Sequence, residues 1–205
     1  MEKKKSRKWV IPVIGVVAVG IVIVYIFCFQ KGDNGIFAVA PTVSIETPGK
    51  ISVKNEETFD LDVQLSALKE ELYPAASFSI SFDPSKLEFV GVKEGNVRIT
   101  DSNSSSGYQL PSWSVNVEKS NEIGQINLMY LDMTGGKYAF VKDALGEGEN
   151  ILFRLSFRLR GSAMEGDIYE LVIEDAIFAN GDEKKSLATA KKSLKAQNGR
   201  IVIGE

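Results

Sequence analysis

Phe78-Ser79-Ile80-Ser81-Phe82-Asp83-Pro84-Ser85-Lys86-Leu87-Glu88-Phe89-Val90-Gly91-Val92 sets the period of the chain. From Phe78 to Phe82 apolar residues alternate with serines, which in an extended strand makes one face dry and the other wet. Asp83-Pro84 must end that strand, because proline has no N–H to give a ladder and aspartate favours a turn. Leu87 then opens a second strand.

The same period recurs on both sides of this stretch. Val43–Ile45 and Phe59–Leu65 precede it; Trp113–Val117, Gln125–Asp132, Ile151–Leu159, Leu171–Phe178 and Arg200–Ile203 follow, most of them separated by Gly, Pro, Asn or Asp. About nine strands with turn signals between them, and no helix–strand alternation, predict two packed antiparallel sheets. Within Trp113–Val117, alternation puts Trp113 with Val115 and Val117 on the core side. Glu183–Asn198 fits no strand well. It reads either as a short amphipathic helix carrying Leu187, Ala190 and Leu194 on one side or as a long hairpin loop, and a mostly irregular connection is expected. Its lysines read as a solvated face.

Upstream the composition changes. Trp9–Phe29 has no charge in 21 positions, enough as a helix to cross a hydrocarbon core of about 30 Å. Ahead of it stand Lys3, Lys4, Lys5, Arg7 and Lys8 against Glu2, a local +4 that leaves −7 on the rest of a chain whose total is −3. Positive flanks stay cytoplasmic. The expected organisation is a cytoplasmic basic tail at 1–8, a transmembrane helix at 9–29, a linker at 30–41 and an extracellular β-domain at 42–205. The alternative is secretion after cleavage at Ala38-Val39-Ala40, which has the small-residue pattern of a signal-peptide site. Against it, the apolar run is longer than signal peptides use, and a polar stretch from Gln30 to Gly35 separates it from that site. Lipidation at Cys28 is a weaker third option, and Gly15 and Gly20 do not make a GxxxG pair.

Composition removes several kinds of chemistry. The chain of 205 residues has no histidine and one cysteine, Cys28, inside the apolar run. Histidine-dependent triads, histidine metal ligands and intrachain disulfides are therefore excluded. No glycine-rich phosphate loop, nucleophile elbow or metalloprotease motif occurs. The acidic remainder, with no basic stripe interleaved with aromatics, speaks against nucleic acid. Asp101-Ser102-Asn103-Ser104-Ser105 begins like a calcium loop, but Ser106 stands where the turn glycine belongs and Ser112 where the bidentate glutamate belongs. It reads as an exposed polar loop. Asp132 and Glu174 could form a carboxylate pair of the kind that hydrolyses glycosides, but among 26 acidic residues after the apolar run chance placement is the better account. The domain is expected to be no enzyme and to hold no metal or cofactor.

The Phe78–Val92 stretch, continued through Gly95, resembles the cohesin pattern: a strand ending in Phe-Asp-Pro, then Leu-Glu, a Gly-Val step and a glycine. Ile126–Asp132 with Thr134-Gly135-Gly136-Lys137-Tyr138-Ala139 resembles that family's central strand and the glycine-rich turn after it. Tyr169–Asp182 resembles the penultimate strand and Asn198–Ile203 the closing one. The resemblance covers about 42–205. It implies an all-β fold, a nine-stranded jelly-roll β-sandwich, here preceded by one transmembrane helix. It further implies a cell-surface module that binds dockerin-bearing proteins such as plant-wall polysaccharide hydrolases, with calcium in the dockerin alone.

The resemblance also points to a face. Asn and Asp contacts of the family's commonest type fall on Ala75 and Ser77, so this chain departs there and the dockerin type is left open. Apolar contacts fall on Met129 and Leu131, and acidic ones on Asp132 and Glu174. Alternation puts Ile126, Leu128 and Tyr130 on one side of their strand and Asn127, Met129 and Leu131 on the other. Both sides carry large apolar residues, so either a loop covers Met129 and Leu131 or they form an exposed strip. The resemblance selects the strip. Ser77, Ser79 and Ser81 would flank it, with Asp132 and Glu174 as polar rim contacts. The plainer reading of the three serines is a wet strand face. The competing function is a carbohydrate-binding sandwich, which normally needs exposed aromatics; Trp113 is expected inside, and Tyr108 and Tyr138 are unplaced.

Overall fold

A computed structural model describes residues 40–52, 57–145, 148, 150–161 and 163–204. The expected tail, transmembrane helix and nearly all of the linker lie outside these residues. Among the described residues no helix is long and apolar enough to cross a membrane.

The strands are β1 (Thr42–Glu46), β2 (Lys50–Ser52), β3 (Phe59–Leu65), β4 (Ala75–Ser81), β5 (Leu87–Glu94), β6 (Ile99–Thr100), β7 (Tyr108–Gln109) and β8 (Ser114–Val115). After helix α1 (Val117–Ile123) come β9 (Gln125–Leu131), β10 (Ile151–Leu159), β11 (Ile168–Ala179), β12 (Leu187–Ala188), β13 (Lys195–Gln197) and β14 (Gly199–Gly204). The nine expected strands correspond to β1, β3, β4, β5, β8, β9, β10, β11 and β14. The five others are two or three residues long, too short to show a period.

One sheet has the order β13-β1-β3-β10-β5 and the other β2-β14-β11-β4-β9-β8, with β12 paired to β11; β6 and β7 form a separate hairpin. The pairings among the long strands are antiparallel, whereas β13 joins β1 and β2 joins β14 in parallel. Alternation decides which residues fill the space between the sheets. In β3 every second side chain from Phe59 to Leu65 is buried, and in β4 the buried set is Ala76, Phe78 and Ile80. Phe78 lies at the centre, with ring centroids 5.2 Å from Phe153, 5.5 Å from Trp113 and 5.7 Å from Phe178 in edge-to-face geometry. Trp113 packs against the core with Val115 and Val117, as alternation predicts.

The Asp-Pro turn behaves as its chemistry requires. Asp83 Oδ1 accepts from the Ser85 N–H (2.9 Å) and hydroxyl (2.6 Å), and Leu87 N–H donates to the Asp83 carbonyl (3.0 Å), so β5 begins at Leu87.

Two segments differ from expectation. The strand at Trp113–Val117 is only Ser114–Val115, after which the chain turns into α1: Asn116 caps it by accepting from Lys119 N–H at 2.9 Å, and Gly124 ends it at φ 69°. Seven residues are too few to show a helical period, and Val117 happens to continue the strand alternation. Glu183–Asn198 is less irregular than expected. A single 3-10 turn at Glu183–Lys185 leads to β12 and then β13; Leu187 is buried against the core from β12 and Leu194 from the position just before β13, two separate places rather than one helical side.

Candidate partner-binding face

β4 and β9 lie side by side in unbroken register, so their outward residues form rows across the sheet. Ser77 is paired with Met129, Ser79 with Asn127 and Ala75 with Leu131. On the far side of β9, Ser114 is paired with the same Met129. On the far side of β4, Ile177 of β11 is paired with Ser77 and Asp175 with Ser79. Met129 is thus flanked by a serine on each side.

Among the described residues no loop covers the strip. Met129 and Leu131 are each 52% exposed and Asn127 is exposed, while Ile126, Leu128 and Tyr130 are buried. Ser77, Ser79 and Ser81 are half-buried. Ser79 accepts from Gln125 Nε2 at 2.7 Å, and Ser81 donates to Glu174 Oε1 at 2.8 Å. Glu174 is exposed at a bulge in β11 that interrupts the pairing with β4 between Ile173 and Asp175. An open depression of about 580 Å³ runs along Ser77, Ser79, Ser114, Asn127, Met129 and Asp175. Seven of the eight expected site residues are therefore brought onto one surface.

The eighth is not. Asp132 is only 8% exposed, and its carboxylate turns into the loop that follows β9. Oδ1 accepts from the Thr134 N–H (2.8 Å) and hydroxyl (2.6 Å), and Oδ2 from the N–H groups of Gly136 (2.7 Å) and Tyr138 (3.2 Å). Burial raises its pKa, but these bonds outweigh burial and hold the carboxyl below its ordinary value. In place of the outward rim position expected for it, the Asp132 side chain organises a turn. Thr134-Gly135-Gly136 carried the signal, since a short acceptor just before a hydroxyl and two glycines is an Asx-type turn. Sequence reasoning also missed Ser114, which pairing alone brings beside Met129, and Met133, which is 84% exposed just past the strand.

The other sheet presents a different surface. Lys93 pairs with Asp60 at 2.8 Å, Arg154 with Asp62 at 3.0 Å and Arg158 with Glu88 at 3.4 Å, and the Ser156 hydroxyl donates to Asp60 at 2.6 Å. Charges there satisfy one another. The two unplaced tyrosines are engaged within the domain: Arg98 lies over the Tyr108 ring at 5.2 Å, and the Tyr138 hydroxyl accepts from Asn103 Nδ2 at 3.1 Å. Among the described residues no group of three or more His, Cys, Asp or Glu side chains is placed to hold a metal ion.

A two-sheet sandwich with one charge-paired face and one exposed face of methionine, leucine and serine has the form of a protein-interaction module. The chain belongs to the cohesin family: the family model for the Cohesin domain matches residues 42–196. Solved cohesins share the fold. The third cohesin of ScaC from Acetivibrio cellulolyticus, in complex with the ScaB dockerin, superimposes with a TM-score of 0.57 at 15% identity over 80% of this chain and 99% of that one. The OlpA cohesin of Clostridium thermocellum, in a type I complex with a dockerin, gives 0.57 at 16% identity over 80% and 99%. A non-cellulosomal cohesin from the archaeon Archaeoglobus fulgidus gives 0.53 at 14% identity over 82% and 93%. The comparison with curated proteins found no match.

Proposed function

We propose that the β-domain is a non-catalytic docking module that binds dockerin-bearing proteins through the β11-β4-β9-β8 face. The uncharged apolar segment 9–29 would anchor it on the outer side of the membrane, and the polypeptides it recruits would be plant-wall polysaccharide hydrolases or the scaffolds that carry them. The observation that carries this reading is the pair Met129 and Leu131, each half exposed on one strand and bordered by small residues. Large apolar side chains kept in water on a flat sheet, with serines that let a helix approach closely, suit a partner that brings its own apolar surface. Membership of the cohesin family, and the dockerin complexes among the matched structures, give the class of partner. Calcium would reside in the dockerin. Engagement of Tyr108 and Tyr138 inside the domain disfavours a sugar-binding platform.

The test is calorimetric titration of the full chain in detergent with calcium-loaded dockerin modules from the organism that carries it, together with the ScaB dockerin, in calcium and in chelator. Binding to at least one module in calcium only is expected. Leu131→Asp should weaken it by several kcal/mol by burying an unpaired charge at the contact, yet change domain stability by no more than about 1 kcal/mol. Absence of binding across the set, or retention of full affinity by Leu131→Asp, would overturn the reading. Topology is tested separately: protease added to intact cells should release β-domain fragments while the N-terminus stays with the membrane, and a mature N-terminus at Pro41 would mean secretion instead.

A further inference from the structure

The apolar strip does not stop where β9 does. Met129, Leu131 and Met133 follow one another at every second position, and Met133, at 84%, is the most exposed of the large apolar side chains described. It does not sit in a slack loop. Asp132 accepts the four hydrogen bonds given above, and its own N–H donates to the Pro74 carbonyl at 2.7 Å. The Tyr130 hydroxyl donates to the Tyr138 carbonyl at 2.6 Å, closing the far end of the turn. Gly135 and Gly136, at φ 84° and 102°, let the chain curl back so that its N–H groups converge on one carboxylate.

Two physical points assign roles here. A carboxylate offers about four acceptor positions, and four donors of the same turn already engage Asp132, so little is left for a partner. A contact held in place before binding loses less conformational freedom on association than one that must be ordered at that moment. Methionine, with its flexible and polarisable side chain, adapts readily to an opposing apolar surface once its backbone is fixed.

We infer that Asp132 is a positioning residue, which holds the 132–138 turn so that Met133 forms the outermost contact of the dockerin-binding strip. This rests on the reading of the Met129–Leu131 face as the binding face. It shifts Asp132 from touching the partner to acting through its neighbour.

A double-mutant cycle tests it, on the full chain, with a calcium-loaded dockerin that binds the unsubstituted protein in the titration above. Met133→Ala should weaken binding about tenfold. Asp132→Asn, which replaces an acceptor by an amide facing N–H donors, should weaken it by a similar factor, mainly through faster dissociation. The double variant should bind no more weakly than Asp132→Asn alone, to within about twofold, since both changes remove one contact. Thr134→Val, which deletes only the hydroxyl bond, gives a milder second route if Asp132→Asn does not fold; its effect on affinity should vanish in the Met133→Ala background. A merely structural role would lower the melting temperature without this coupling. Independent, multiplying effects of Asp132→Asn and Met133→Ala, or unchanged affinity of Met133→Ala, would overturn the inference. If Leu131→Asp abolishes binding while Met133→Ala leaves affinity unchanged, only this inference fails. If Leu131→Asp also binds normally, the face itself is wrong.

Discussion

Asn121 does for Phe89 what a neighbouring strand would do. The Phe89 N–H donates to Asn121 Oδ1 at 2.8 Å, and Asn121 Nδ2 donates to the Phe89 carbonyl at 2.7 Å. Phe89 lies in β5, the last strand of its sheet, where unpaired backbone groups invite another chain. The helix that the strand alternation concealed thus has a purpose beyond connection: it brings one amide to the open edge.

Replacing Asn121 by Leu keeps the volume and removes both bonds. Phe89 is only 1% exposed, so its backbone groups would be left poorly solvated, at about 1–3 kcal/mol for each unsatisfied group. Thermal melting should show the loss. Light scattering should show concentration-dependent association of the variant, and an unchanged melting temperature would mean that water replaces the amide without cost.

Gly95 closes the sequence pattern that begins at Phe78, and its surroundings explain its presence. The N–H groups of Asn96 (2.7 Å) and Val97 (2.9 Å) both donate to the Ile151 carbonyl, while Ile151 N–H donates to Asn96 Oδ1 at 2.7 Å. A Cβ on residue 95 would overlap that carbonyl oxygen and the backbone of Leu152. Gly95→Ala must push β10 away and should cost about 3 kcal/mol or prevent soluble expression, since overpacking against backbone has no flexible side chain to yield. Denaturant unfolding measures this; a loss below about 1 kcal/mol would show that the crossing relaxes freely.

The sheet with the charge pairs supplies the control for binding. Arg158→Ala removes the pair with Glu88, whose two side chains are 46% and 39% exposed. Exposed pairs contribute about 0–1 kcal/mol, so stability should change little and dockerin affinity should stay within about twofold. A loss of affinity as large as that of Leu131→Asp would place the contact on the wrong sheet.

Acid should loosen the domain in a defined window. Asp60 and Asp132 are desolvated, which raises their pKa values, but hydrogen bonds to each, with Lys93 adding its charge at Asp60, lower them further than burial raises them. Asp83 is lowered by its bonds from Ser85. A carboxyl with a depressed folded pKa contributes stability that is fully present above its unfolded value, about 3.9, and is lost as pH falls below that toward the folded value. Melting temperatures should therefore be steady from about pH 7 to pH 5 and fall steeply below about pH 4. Asp132→Asn should flatten that fall. An identical acid slope in the variant would show that its carboxylate titrates alike in both states.

Period and turn chemistry are local, and the features that depend on them are legible in the amino-acid sequence itself: the long strands, the stop at Asp83-Pro84, the inward Trp113, and the alternation of β9 that puts Met129 and Leu131 together on one side. Each follows from residues within a few positions of one another. What only the tertiary structure decided involves groups far apart along the chain. Ser114 flanks Met129 because β8 pairs with β9, and Asn121 seals Phe89 across 32 positions. The short strands β12 and β13 exist because β11 and β1 offer them edges. Asp132 shows the boundary within a single residue: alternation could give its place at the end of a strand, but the direction of its carboxylate depended on which donors could reach it. The N–H groups of its own turn do so, because two glycines allow the backbone to fold back onto it.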